Sequence, residues 1–243
     1  MSNPEQQSKG SHLARRAWRW LVGLGFHLLY NEMAWAYDGV SRLVSRGQWQ
    51  AWQSAAIPHL NGHRILELAH GPGHMLLALE AAGYQVTGLD LSPAMGRIAG
   101  RRIRRAERRA VLVRGRAQNL PFASGAFDSV LTTFPTEFLV EQATIEAVFR
   151  VLCAGGRLVV VPQARLAGGG LSSLVEWLYT ITGQRPQELG DTNGGFWQVI
   201  HERFSAAGFE TTLEAAKFET SEVIVVVAEK PLEVDRRAIF VTR

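Results

Sequence analysis

Residues 64–90 open Arg64-Ile65-Leu66-Glu67-Leu68-Ala69-His70-Gly71-Pro72-Gly73-His74-Met75-Leu76 and continue through Gly83 to Gln85-Val86-Thr87-Gly88-Leu89-Asp90. Arg64 to Leu68 is a short apolar run bounded by turn residues, the pattern of a buried strand. The small residues His70-Gly71-Pro72-Gly73 form a turn, and the spacing of Met75 to Ala82 predicts a helix that Gly83 stops. Gln85 to Asp90 reads as a second strand. A strand, a glycine turn and a helix together make a cofactor cradle, because the backbone can approach a ligand closely and the helix N-terminus presents N–H groups. Asp90 stands about twenty residues past the turn, where a carboxylate can accept both hydroxyls of a ribose. The dinucleotide fingerprint asks for a third glycine, and Leu76 occupies that place, which argues against NAD.

The alternation continues downstream. Ser92 reads as an N-cap with Pro93 at the first helical position, and a helix runs to about Arg109. Val111 to Arg114 is a third strand, Phe127 to Phe134 a fourth, Glu141 to Val151 a helix and Arg157 to Val161 a fifth strand entered through Ala154-Gly155-Gly156. Strands alternating with helices imply an α/β domain with a mostly parallel sheet covered on both faces. After Pro162 the rhythm breaks. An apolar helix is expected at Leu171 to Thr182 and another from Gly195 to Ala207. Phe209 to Phe218 and Glu222 to Ala228 are two strands with no room for a crossover, so they must be antiparallel. The expected organisation is a disordered tail at 1–12, one domain at 13–230 and a tail at 231–243, the domain divided into a helical cap at 13–58, a cofactor-binding core at 64–161 and a helical insert or lid at 163–207.

Composition narrows the class. With 243 residues the chain can bury the core of one sizeable domain. Its one cysteine, Cys153, permits neither an intramolecular disulfide nor a cysteine-based metal site and fits a cytoplasmic setting. No carboxylate cluster suggests a metal. Ala14 to Tyr30 is apolar and arginine-flanked, but Arg19 and His27 interrupt it and it is shorter than the ~20 residues of a spanning helix. The net charge is +4, with much of the excess between Arg97 and Arg116. That stretch is either a solvated helix face or a patch for phosphates, and no nucleic-acid module accompanies it.

Five further stretches carry a resemblance. The glycine turn, Leu89-Asp90-Leu91-Ser92-Pro93-Ala94-Met95, Ala117-Gln118-Asn119-Leu120-Pro121-Phe122, Phe127-Asp128 and Arg150-Val151-Leu152 with Gly155-Gly156 resemble, in order and spacing, the motifs of class I S-adenosylmethionine-dependent methyltransferases. The resemblance spans Arg64 to Val161 and implies a Rossmann-like, seven-stranded sheet with an antiparallel last strand, a helical N-terminal extension and a helical insert after the fifth strand. It implies S-adenosyl-L-methionine as cofactor. Glu67 would help hold the methionine amino group through water, and the backbone of Ala69, His70, Gly71 and Gly73 would line the methionine and ribose. Asp90 would take the ribose hydroxyls, with Leu91 and Met95 against the adenine and Ala117 and Gln118 at its edge. Thr133 and Phe134 would face the sulfonium. Two positions depart from the family pattern. Ala69 stands for its first glycine, and Arg116 for the acidic residue that accepts from the adenine amino group. Arg116 can stack on the ring instead, or Gln118 can supply the acceptor.

Upstream, Ala34-Trp35-Ala36-Tyr37-Asp38-Gly39-Val40-Ser41 with Gly47 and Trp52 is similar to the entrance segment of ubiquinone/menaquinone-type C-methyltransferases and some bacterial phospholipid N-methyltransferases, which makes Tyr37 a candidate cover for the cofactor. No general base stands out, and Glu137, after the fourth strand, is the nearest candidate. Two readings remain open: methyl transfer to a small apolar or amphipathic acceptor, and a catalytically inactive relative that binds without turnover. In the N-terminal segment Trp18, Leu21, Val22, Leu28 and Leu29 share a helical face near Arg15, Arg16 and Arg19. Such a face suits peripheral contact with a membrane or a lid over the pocket. The expected partners are a small-molecule or lipid-like substrate, not nucleic acid.

Overall fold

The computed structural model describes residues 47–166 and 195–232, together with Gly39 and Ser45. The expected N-terminal helix, Tyr37 and the expected helix at 171–182 lie outside the described residues. The first helix, α1, is Trp49–Ser54, and a 3-10 turn at Ile57–His59 leads into β1, Arg64–Leu68. There follow α2, His74–Ala81; β2, Gln85–Asp90; α3, Pro93–Arg105; β3, Val111–Arg114; and β4, Phe127–Thr133. A second 3-10 turn, Glu137–Val140, precedes α4, Gln142–Val151, and β5, Leu152–Leu166. The described chain closes with α5, Gly195–Ala206; β6, Glu210–Phe218; and β7, Ser221–Glu229.

The seven strands form one sheet in the order β3-β2-β1-β4-β5-β7-β6. β1 to β5 are parallel, and β7 runs antiparallel to both β5 and β6. The sheet is therefore the mostly parallel, seven-stranded one that the sequence implied. Side chains alternate across it. Ile65, Val86, Leu131 and Val159 face Trp52, Met75, Leu76, Leu79, Ala99 and Ile103 of α1, α2 and α3. Leu66, Leu68, Leu89, Val130 and Leu158 face Ile145, Val148 and Val151 of α4 and Ile200 and Phe204 of α5. α5, which the sequence placed in the insert, thus packs under the sheet.

The helix starts follow their expected chemistry. Ser92 caps α3 by accepting a hydrogen bond from the Met95 N–H at 3.3 Å, with Pro93 in the first turn. β5 is longer than the five residues expected, because it continues past Pro162 alongside β7. Pro162 has no N–H to give the ladder. The register accordingly slips between Val160 and Gln163, which oppose Val226 and Ile224, leaving one extra residue on β5.

Gly88, in the middle of β2, shows why a small residue is needed beside the glycine turn. A Cβ there would lie 2.8 Å from the His70 ring and 3.0 Å from the Leu76 side chain. Both neighbours are buried and cannot retreat. Gly88→Ala should therefore destabilise the fold by roughly 1–3 kcal/mol, the usual cost of overpacking. Chemical denaturation of the two proteins checks this.

Candidate active site

The strand order reverses at β1, whose neighbours are β2 on one side and β4 on the other. In an open parallel sheet the crevice beyond the strand ends at such a switch point is where ligands bind. The turn after β1 lies there, and its backbone alternates in hand: Ala69, Gly71 and Gly73 have φ of +54°, +53° and +82°. Ala69 is the costly member, since its Cβ opposes the left-handed region by about 1–2 kcal/mol. Gly73 is required for a second reason, because a Cβ would come within 2.8 Å of that of Ala99 on α3. A Cβ at Gly71 would meet no described residue within 4 Å, so among the described residues the turn opens onto free space there.

The N–H groups of the turn are already engaged. Those of Ala69 and His70 donate to Leu89 O at 2.7 and 3.4 Å, and that of Gly73 to His70 O at 3.1 Å. The Gly71 N–H donates to Asp90 Oδ2 at 2.9 Å, while Asp90 Oδ1 accepts from the Ser92 N–H at 2.8 Å. Asp90 thus ties the turn to the start of α3. Each carboxylate oxygen can accept twice, so a further hydroxyl can still bond to either.

Glu67 sits on β1 in register with Gly88 and Leu131. It is 1% exposed, and its Oε2 has no hydrogen-bond partner among the described residues. Burial pushes its carboxyl well above the ordinary carboxylate range, and the negative charge of Asp90 pushes the same way. His70 is also buried. Burial lowers its pKa against the opposing pull of Asp90, and the ring Nδ1 pairs with Gly71 O at 2.8 Å. The neutral ring must donate that bond from Nδ1, because a carbonyl only accepts.

On the other side of Asp90, Leu91 is 52% exposed beside a fully buried Met95, which packs with Ala94 and Ile98. Met95 therefore supports the floor rather than presenting an open surface. Ala117 is buried and Arg116 exposed. Gln118 Nε2 donates to Glu141 Oε2 at 2.8 Å, which leaves its carbonyl oxygen as the acceptor not used in that bond. Arg150 holds this loop by donating to Leu120 O and Phe122 O at 2.8 and 2.6 Å.

The end of β4 carries residues that sequence reasoning did not bring to the site. Gln53 Nε2 donates to Thr133 Oγ1 at 2.9 Å, and Trp49 stacks on Phe134 with ring centroids 4.2 Å apart. Gln50 bonds His74 at 3.1 Å, joining α1 to the first residue of α2. Trp49 and Gln53 are four apart and so share a helix face, the one signal that pointed to them. Glu137 is exposed at the head of its 3-10 turn, with no side-chain hydrogen bond among the described residues, so nothing there orients it as a base.

Comparison with known proteins places this geometry. Residues 65–156 match the family described as "Methyltransferase domain". This stretch is similar to that family. It contains the glycine turn, Asp90, Thr133 and Phe134. The chain is 38% identical over 142 residues to a demethylmenaquinone methyltransferase of Thermus thermophilus, covering 55% of this chain and 63% of that one. It is 26% identical over 211 residues to one from Symbiobacterium thermophilum, covering 76% and 84%. The chain spans 55–65% of the length of the four most similar of these relatives. A solved Thermotoga maritima structure described as an S-adenosylmethionine-dependent methyltransferase shares the fold at a TM-score of 0.60 and 18% identity, over 84% of this chain and 98% of that one.

The raised Glu67 carboxyl gives a test of sign. A folded pKa above the unfolded one means that ionised Glu67 opposes folding, so the ligand-free protein loses stability as pH rises through the raised value. Glu67→Gln removes that loss. The variant should melt higher than the wild type at neutral pH, with the gain shrinking as pH falls to the ordinary carboxylate range, in thermal melts across that interval.

Proposed function

We propose that this chain transfers a methyl group from S-adenosylmethionine to a small apolar or amphipathic acceptor of quinone type. The observation that carries the reading is the buried Glu67 oxygen that has no partner among the described residues, which a cation or donor arriving in the crevice would satisfy. The methionine ammonium of the cofactor is such a group. Asp90 would accept from the ribose hydroxyls while still holding Gly71 and Ser92. Leu91 would cover the adenine, and Gln118, pinned by Glu141, would offer its carbonyl oxygen in place of the acid that Arg116 replaces. The free space at Gly71 admits the chain of the ligand between them.

When bound, the cofactor supplies an electrophilic methyl group on a sulfonium. What remains for the protein is alignment of the acceptor, and orientation alone can supply up to ~7–11 kcal/mol. Thr133 and Phe134 stand where that alignment would occur. The quinone-type acceptor rests on the names of the relatives, demethylmenaquinone methyltransferases, and on the aromatic wall of Trp49 and Phe134. Peripheral membrane contact fits such an acceptor. No helix among the described residues is long and apolar enough to cross a membrane. The arginines at 97, 101, 104, 105, 108 and 109 are all exposed along α3 and its exit, and basic residues near an anionic surface attract it by ~1 kcal/mol each.

Calorimetry with S-adenosylhomocysteine should show binding, and NAD should show none. Asp90→Ala loses charge-assisted hydrogen bonds of ~1.5–3 kcal/mol each, so its affinity should fall at least roughly tenfold. Labelled methyl should pass from S-adenosylmethionine into a demethylated naphthoquinol. A folded protein that binds no S-adenosylhomocysteine would overturn the reading.

A further inference from the structure

Thr133 is the last residue of β4, two places beyond Leu131, which is in register with Glu67. It therefore lies two places beyond the last β1 partner, at the end of the strand where the crevice opens. The surroundings on this side are aromatic and apolar. Trp49 and Trp52 meet Phe134 at 4.2 and 6.3 Å between ring centroids. Phe134 itself has φ of +51°, and its N–H donates to Val161 O at 2.7 Å. A bulky side chain in the left-handed region is a strained placement of the kind that collects at functional sites.

Within that wall sits one polar pair. The amide of Gln53 donates to the Thr133 hydroxyl oxygen at 2.9 Å. A hydroxyl that accepts one bond keeps its own hydrogen to donate, and no described group takes it. The carbonyl oxygen of Gln53 is buried and has no partner among the described residues. If the pair merely fastened α1 to the sheet, other contacts already do so. Trp52 Nε1 donates to Ser221 Oγ at 2.9 Å, Ser221 Oγ donates to Gln48 Oε1 at 2.6 Å, and Gln48 Nε2 donates to Thr220 Oγ1 at 2.7 Å.

The geometry points to Gln53 and Thr133 as the group that selects an oxygen-bearing aromatic acceptor, with the Thr133 hydroxyl donating to the acceptor's ring oxygen, Gln53 holding that hydroxyl in place, and Phe134 flanking the ring. Gln53 is a positioning residue, since it acts through Thr133. The Thr133 hydrogen needs a lone pair to bond, which a ring oxygen supplies and a bare hydrocarbon ring does not. The inference rests on the methyl-transfer reading above and adds the residues that select the acceptor.

The test uses the full chain saturated with S-adenosylhomocysteine, with 1-naphthol and naphthalene as probes, the two differing by one oxygen. Wild-type protein should bind 1-naphthol more tightly. Thr133→Val and Gln53→Leu should each reduce that preference at least fivefold, and Thr133→Ser should retain it. A structural role alone would not move the ratio between the probes. An unchanged preference in Thr133→Val and Gln53→Leu, with S-adenosylhomocysteine still bound, would overturn the assignment of this pair. Loss of S-adenosylhomocysteine binding by the wild type would instead overturn the methyl-transfer reading, and this inference with it.

Discussion

The crevice depends on one carboxylate. Asp90 reaches from the end of β2 to the Gly71 N–H on one side and to the Ser92 N–H on the other. Those two bonds set the turn after β1 against the start of α3, and everything placed in the crevice is placed relative to them. Hydrogen bonds to a charged acceptor are the stronger ones in a protein, and here they join the turn after β1 to the start of α3. Gly73 lets the two elements come together, since any side chain there would strike Ala99. The left-handed backbone of Ala69 is a cost that this closure imposes.

Around Asp90 the polar groups are set at different depths. Glu67 is buried beneath the turn and held away from its charged form, whereas Asp90 is half-buried and satisfied by two backbone donors. His70 is a buried ring bonded to its neighbour's carbonyl and drawn on by the charge of Asp90. A carboxyl that resists ionisation alone becomes a receptor for a cation, because the partner supplies the interaction that water no longer does. The free protein would carry the desolvation of Glu67 as a loss of stability, a pattern expected where a site is built for a ligand.

Most of the fold was legible in the sequence because its elements announce themselves locally. Glycine turns, an N-cap serine and short apolar runs placed β1 to β4, α2, α4 and the start of α3 within a residue or so, while α3 ends four residues before the expected Arg109. The final antiparallel pair followed from the lack of a crossover. What was missed depends on distant partners. β5 gained length from β7, and α5 proved to be a core helix through Ile200 and Phe204, whose spacing of four was visible but whose sheet face was not. In the site, Asp90 was singled out by its place past the turn and Glu67 by the family resemblance. Gln53 and Trp49 were not, since they come to Thr133 and Phe134 by packing across eighty or more positions. That Met95 lies beneath the floor rather than on it is likewise a matter of burial, which spacing alone does not give.

The central claim is that Glu67 receives the ammonium of the cofactor. Calorimetric titration of S-adenosylhomocysteine in buffers of different ionisation enthalpy, at mildly acidic to neutral pH, tests it most directly. A cation beside Glu67 lowers its raised pKa, so binding should release a proton, affinity should rise with pH through that interval, and Glu67→Gln should abolish the release. Binding with no proton released, or with the same release in the variant, would contradict the account.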